Sequence, residues 1–394
     1  MVTERNDAAA VTAAQPDNVA AVRLIVKQSG QAGERVNPYR LVAGGRRISL
    51  AALNRIIEID TANLVAQVEP GVTLGTLNEA LRQQGLRFVP GDTPVYRHKT
   101  LGEFFYEGCS NLSGVKYGFA KHFLMGSEVV LPSGELLSTG GKTVKNVTGY
   151  DFTRFFNAPY ADLGITVKFL LKLLPLPEAC HRRLVSLALP ADAFTLAGQL
   201  RAEKIVPSVL VWSSGQSRKL TGDPAADRDW LWLELDGVAE EVAALEQRLD
   251  SLLAERQGVT VAAGNALEAV LGPLIQGYSA EAAALTDELK LPLTAQPAFV
   301  EEVKTMAEIN RVKMGVFGQI GEGKLHLALS AWGDDEHRFI RDVLAATVRH
   351  GGWSAGKYRR LYSGDEAGPL DFLEKRLRKL LDPDAVLSSG REGQ

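Results

Sequence analysis

The chain has 394 residues, 45% of them hydrophobic and 23% charged, with a formal net charge of -3. This is ordinary globular composition, long enough for two or three domains and for a core that needs no disulfide or metal to hold it. The small acidic balance gives no electrostatic footprint for nucleic acid, and Cys109 and Cys180, in no C-x-x-C pair, cannot build a zinc site or a self-contained iron–sulfur cluster.

The two cysteines could form one disulfide, but in a chain this long they read rather as buried free thiols of a reducing compartment. The N-terminal "MVTERNDAAAVTAAQPDN" is charged and Ala-rich without an apolar h-region, so residues 1–16 read as a flexible lead-in and not as a secretory signal. The longest apolar run, "FLLKLLPLP", is broken by Lys172 and by prolines and falls short of a membrane span. These features predict a soluble, cytoplasmic chain, which leaves docking on a membrane-bound partner open.

In chain order, Asp17 or Asn18 is the N-cap of a helix carrying Val19, Val22, Ile25 and Val26, with Gly30 as its stop. "IIEID" and "LVAQV" form strands around a "TAN" turn; Thr73 caps a helix bearing Leu74, Leu77 and Leu81, closed by Gly85. "HFLMGSEVVLPSGELLSTG" reads as strand, Pro-Ser-Gly turn and strand, and "GITVKFLLKLLPLP" as a long apolar strand ended by prolines. The first region therefore spans 17–178, with a boundary near Pro177.

The second region, 179–394, has strands in "RRLVSLALP", "PSVLVWSS" and "DWLWLELDG" and helices in "DAFTLAGQLRAEK" and "VAEEVAALEQRLDSLLAERQG". That order predicts an α+β sandwich. "VFGQIGEGKLHLALSAW" reads as a turn followed by a strand. "GPLDFLEKRLRKLLDPDAVLSSGR" places Leu370, Leu373, Leu377, Leu380 and Leu381 on one helical face, stopped by Asp382-Pro383.

Four segments in fixed order carry a family likeness: "NRIIEIDTANLVAQVEPGVTLGTLNEAL", "EVVLPSGELLSTGGKTVKNVTGYDFTRFF", "LGITVKFLLKLLPLPE" and "LRKLLDPDAVLSSGR". The chain resembles FAD-linked 2-hydroxyacid oxidoreductases of the vanillyl-alcohol oxidase / p-cresol methylhydroxylase group, above all the flavin-domain subunits of glycolate oxidase. The likeness runs from about residue 17 and is strongest between Asn54 and Glu178. It implies an α+β fold: an FAD-binding domain of two α/β subdomains of p-cresol methylhydroxylase type, followed by an α+β sandwich cap domain. It also implies FAD between the subdomains, its pyrophosphate on backbone N–H groups of glycine loops. Carried over where this sequence still matches, the contacts fall on Pro70, Gly71 and Val72, on Thr100, Leu101 and Gly102, and on Leu163, Gly164 and Ile165. Gly149, Tyr150 and Asp151 shape the domain.

The family's loops are degraded here. The first, a run like Arg-Gly-Gly-Gly-Thr-Gly, either survives as Ser29-Gly30-Gln31-Ala32-Gly33 or has been deleted with its strand; the short spacing to "RISLAALNR" favours deletion, and Gly44-Gly45 reads as a turn. In the second, Glu103 replaces a glycine and is followed by Phe104, Phe105 and Tyr106, which either fill flavin volume or are ordinary core residues. A carboxylate there adds repulsion and bulk at a pyrophosphate site. In the third, Ala158-Pro159-Tyr160-Ala161-Asp162 precede the retained Leu163-Gly164, and Pro159 removes an N–H donor.

The resemblance also implies a metal- and substrate-binding turn of the type His-x-Gly-Asp-Gly-Asn-x-His. It falls on Gln319-Ile320-Gly321-Glu322-Gly323-Lys324-Leu325-His326. Gln319 cannot replace an imidazole ligand, and His326, alone at the start of an apolar strand, reads as structural. The later acid–base motif falls on Lys357 and Tyr358, neither of which abstracts a proton near neutrality at its ordinary pKa. Two functions follow from the likeness. The chain is either a structural or weakly flavin-binding paralogue, partnered with an intact flavin subunit and an iron–sulfur subunit, or an active FAD-dependent glycolate/lactate-type dehydrogenase that passes electrons to such a partner.

Overall fold

The computed structural model describes residues 14–39, 45–143, 151–157, 161–220, 227–254, 260–262, 284–285, 288–329, 334–354 and 369–387. They form two compact units, one within Met1–Ser110, Phe119–Leu176 and Ala367–Gln394, the other within Asn111–Gly118 and Pro177–Glu366. This partition departs from the expected boundaries at two places: residues 111–118 join the second unit, and the C-terminal stretch joins the first.

The first unit opens with the helix Val19–Ala32. Asn18 caps it by accepting the Ala21 N–H at 2.9 Å, and Gly33, at φ +67°, ends it in the left-handed conformation. Gly30 is not the stop. It lies inside the helix, where a Cβ would already stand 3.3 Å from Val386. Residues 29–32 are therefore helical and form no phosphate loop. Nor has the strand after the helix been deleted: Val36–Asn37 pairs in parallel with Arg46–Arg47. Two residues followed by Pro38 give too short a pattern for alternation to register.

The sheet of this unit is antiparallel, with strands in the order Ile56–Asp60, Val65–Val68, Ile165–Lys172, Leu124–Val130, Leu136–Gly140. The Thr73-capped helix Leu74–Arg82 buries Leu74, Leu77 and Leu81, as its spacing predicts. A core of Val22, Val26, Val36, Ile48, Leu53, Val130 and Val167 also takes in Val386 and Leu387. These come from the far end of the chain, which explains why the C-terminal helix Pro369–Leu381 belongs here. Asp382 accepts the N–H groups of Val386 and Leu387 at 2.7 and 2.9 Å, and Arg378 forks onto Asp162 at 2.9 and 3.2 Å.

The second unit is built on an antiparallel sheet of nine described strands. Its order is Thr260–Ala262, Ala179–Leu187, Asp229–Gly237, Val209–Ser213, Met314–Gln319, Lys324–Leu329, Leu289–Lys290 and Trp353–Ser354, with Ala284–Leu285 also on Lys324–Leu329. Helices Pro190–Ala202, Ala239–Ala254, Gln296–Ile309 and Asp334–Arg349 accompany it. Trp212, Leu231, Leu233, Phe299, Leu327, Phe339 and Ile340 share its core. Met314–Gln319 is a strand where the sequence suggested a turn. All six residues are buried, so alternation is missing, and Gly315 and Gly318 dilute the apolar signal.

Among the described residues no helix is long and apolar enough to cross a membrane. Neither cysteine is buried as expected: neither is in a disulfide, Cys109 is half-buried and Cys180 exposed.

The Asp162 carboxylate is 1% exposed and its Arg378 partner 19%. Removing one member of such a pair strands a buried charge. Arg378→Ala is expected to cost about 3 kcal/mol in urea denaturation, and Asp162→Ala in the same chain to restore most of that loss.

Candidate functional site

The first unit brings the expected cofactor-contacting segments together. Residues 70–72 and 100–102 run side by side: the Leu101 N–H donates to the Val72 carbonyl at 2.8 Å and the Gly102 N–H to the Pro70 carbonyl at 2.9 Å. Gly102 and Gly164 line one cavity with Tyr39, Phe105, Tyr106, Phe156, Asn157, Ala161, Thr166 and Phe169. Leu163 and Ile165 are buried beside it, Ile165 paired with Val130 at the start of its strand.

A dinucleotide diphosphate needs free N–H donors and bare main chain. The donors here are engaged. The Gly71 N–H is bonded to the Leu53 carbonyl at 2.7 Å and the Val72 N–H to the Glu69 carbonyl at 3.3 Å, in addition to the Leu101 and Gly102 bonds above. The bare faces are also covered. A Cβ on Gly71 would stand 2.6 to 2.9 Å from the carbonyl oxygens of Leu50, Leu53 and Ala51. One on Gly164 would collide with Val129, and one on Gly102 with the Tyr39 hydroxyl. These glycines accommodate protein, and the amides of residues 71, 72, 101 and 102 do not fit a bound diphosphate.

Tyr39, half-buried as a residue, follows the strand Val36–Asn37. Asn37, 2% exposed, holds it: Oδ1 accepts the Tyr39 N–H at 2.8 Å, while Nδ2 donates to the Tyr106 hydroxyl at 3.2 Å. The two phenol rings lie 4.6 Å apart, and behind them Phe105 stacks on Phe169 at 5.1 Å. Burial, reinforced by Glu103 and Tyr106, pushes the Tyr39 phenol far above its ordinary pKa, so it stays neutral. The void left among these rings measures about 10 Å³, roughly the room one water requires. Sequence reading had singled out Phe105 and Tyr106 but not Tyr39, whose segment carries no recognisable pattern.

Glu103 does something other than repel an anion. Its carboxylate accepts the Thr100 N–H at 2.9 Å while Thr100 Oγ1 accepts the Glu103 N–H at 3.2 Å, a capping box that starts the helix Leu101–Glu107. Asp162, from the third loop, is neutralised by Arg378 as described above. Residues Gly44, Gly149, Tyr150, Pro159, Lys357 and Tyr358 lie outside the described residues.

In the second unit the turn between Met314–Gln319 and Lys324–Leu329 is closed on itself. Gln319 Nε2 donates to the Asn111 carbonyl at 2.7 Å and to Glu322 Oε1 at 3.0 Å. Lys324 Nζ sits 2.8 Å from Glu322 Oε2, each side chain 5% exposed. Gly114 is packed so tightly beneath Glu322 that a Cβ there would collide with it, and Gly323, at φ +75°, completes the turn. His326 is not brought to Gln319; it stands across the ladder from Phe317 and stacks on that ring at 4.9 Å. Lys116 and Tyr117, which matched the family's second loop, both bond Asp236 instead, at 3.0 and 2.8 Å.

Burial raises the Glu322 pKa, and Lys324 opposes that rise. Lys324→Met removes the larger lowering influences and leaves burial and Glu288 opposed only by the Gln319 hydrogen bond. A carboxyl whose folded pKa lies above its unfolded value gives stability that is present at low pH and lost as pH rises through the folded pKa. Urea midpoints of Lys324→Met are therefore expected to fall, relative to wild type, as pH is raised from below the ordinary glutamate range toward neutrality.

Comparison with known proteins agrees with this architecture. Residues 3–140 match the family model described as FAD binding domain, and residues 184–391 that described as FAD linked oxidases, C-terminal domain. The glycolate oxidase subunit GlcD of Bacillus subtilis is 29% identical over 379 residues, 88% of this chain and 79% of that protein. A D-lactate dehydrogenase of Anaerostipes hadrus is 24% identical across 97% of this chain and 88% of its own length. Among solved structures, 4-ethylphenol oxidase from Gulosibacter chungangensis superposes with a TM-score of 0.75 at 15% identity, covering 96% of this chain and 88% of that one. Substrate-bound p-cresol methylhydroxylase gives 0.70 at 16%, covering 97% and 88%. The fold is thus the α+β fold of p-cresol methylhydroxylase type, the cofactor of the family is FAD, and the chain belongs to the family of FAD-linked oxidases.

Proposed function

We propose that this chain is a structural or weakly flavin-binding paralogue of the catalytic flavin subunit within a glycolate oxidase-like, 2-hydroxyacid-oxidising complex. Its partners in this reading are an intact flavin-domain subunit and an iron–sulfur subunit, in the cytoplasm or at the inner face of the membrane through those partners. One observation carries the reading: the amides at Gly71, Val72, Leu101 and Gly102 all donate to carbonyls, and Tyr39 stands against Gly102. The closed Gln319–Glu322–Lys324 turn supports it from the second unit, because a side chain held by buried partners is not available to a substrate.

The second reading, an active FAD-dependent glycolate or lactate dehydrogenase, draws its support from likeness spread along 88% of the chain to a glycolate oxidase subunit. Flavin content separates the two. The purified chain, denatured to release any flavin into the supernatant, is expected to yield well below one flavin per chain. Dye reduction with glycolate or D-lactate is expected to stay at background without partner subunits. One flavin per chain with turnover on either acid would establish the second reading.

A further inference from the structure

We infer that the cleft of the first unit is a self-occupied aromatic site, in which Tyr39 is the ligand the chain supplies to itself. The inference rests on the flavin-poor reading above and adds an identity for what fills the space.

Tyr39 differs from an ordinary core residue in how it is held. Half-buried as a residue, it arrives from beyond a two-residue strand instead of from the sheet or a helix. The buried Asn37 side chain fixes it and, through the other end of the same amide, fixes Tyr106. The phenol ends on Gly102, at a position where any side chain on residue 102 would meet its hydroxyl. Its neighbours are mostly aromatic. The Tyr106 ring lies 4.6 Å from the Tyr39 ring at 36°, Phe105, Phe156 and Phe169 line the same space with Phe105 stacked on Phe169, and Thr166 and Asn157 add polar groups. An aromatic lining with a few polar groups favours a single aromatic ring. Because the neighbouring amides are engaged, it offers nothing to a diphosphate.

Deleting the Tyr39 side chain should therefore leave a ring-shaped hole. A cavity of about 150 Å³ with an apolar lining stays dry and takes up benzene. Phenol is the fitting probe here, since it restores both ring and hydroxyl.

The experiment compares wild type, Tyr39→Phe and Tyr39→Gly. Wild-type flavin content is measured first. Phenol, riboflavin and FAD are then titrated while Tm and flavin fluorescence are followed. Tyr39→Gly is expected to melt below wild type and to recover a few degrees, saturably, with phenol, whereas wild type and Tyr39→Phe do not respond. Riboflavin and FAD serve as size controls: their three-ring isoalloxazine exceeds a phenol-sized hole, so neither is expected to bind the Gly variant more tightly than wild type. A folded Tyr39→Gly that does not bind phenol overturns the inference and makes Tyr39 a packing residue. If the variant does not fold alone, its refolding yield with and without phenol is read instead; a higher yield with phenol supports the inference and an unchanged yield overturns it. Wild-type protein isolated with one flavin per chain sinks the flavin-poor reading itself. Flavin-free wild type with an unresponsive Gly variant sinks only the self-occupied site.

Discussion

The first unit depends on what stands against the missing side chain of Gly102. In a dinucleotide-binding domain a glycine at such a place lets backbone approach phosphate. Here it lets a phenol approach backbone, and the same absence of a Cβ serves a different guest. Asn37 makes that substitution stable, since one buried amide satisfies the Tyr39 N–H and the Tyr106 hydroxyl together. Without the phenol the cleft would hold either water among aromatic faces or a void, and each is unfavourable in a close-packed interior.

The same logic recurs at charged positions. Asp162 stands in the third loop, and Arg378 from the C-terminal helix neutralises it. Glu322 lies in the turn that the resemblance linked to metal and substrate, and Lys324 neutralises it from two residues further on. Asp236 is met by Lys116 and Tyr117, residues that match a loop of the flavin domain yet bond within the second unit. A buried carboxylate in any of these places would otherwise need an external cation or a shifted pKa. Each has an internal partner instead, and the geometry that would leave a group free for a ligand has been used to hold the fold.

Most of the fold was legible because its signals are local. The Asn18 and Thr73 caps, the Leu74–Leu77–Leu81 stripe and the strand pairs around the 61–63 and 131–135 turns need only neighbouring residues. Where the reading failed, the cause was equally physical. Met314–Gln319 is buried on both faces, so no alternation marks it. The C-terminal helix was assigned by chain order, whereas Arg378 and the Asp382-capped turn commit it to a unit far back in the sequence. Glu103 is the instructive case. The Thr-x-x-Glu pattern at Thr100 is a helix-start signal in its own right, but likeness to a glycine loop outweighed it. That Tyr39 stands against Gly102 could not be read from residue types, because the two meet only in three dimensions.

This pattern of internal satisfaction has a thermodynamic consequence. A domain that leaves donors, bare backbone and buried charge for a cofactor is stabilised by that cofactor through mass action and is weaker without it. A domain whose corresponding groups are already paired gains little from the cofactor, and its stability is set by its own contacts. Tyr39 in the cleft, Arg378 on Asp162 and Lys324 on Glu322 all move the chain toward the second condition. Under the proposed structural reading, folding that does not wait on FAD would suit a subunit whose contribution is a surface held in a fixed shape, with the redox chemistry in a partner.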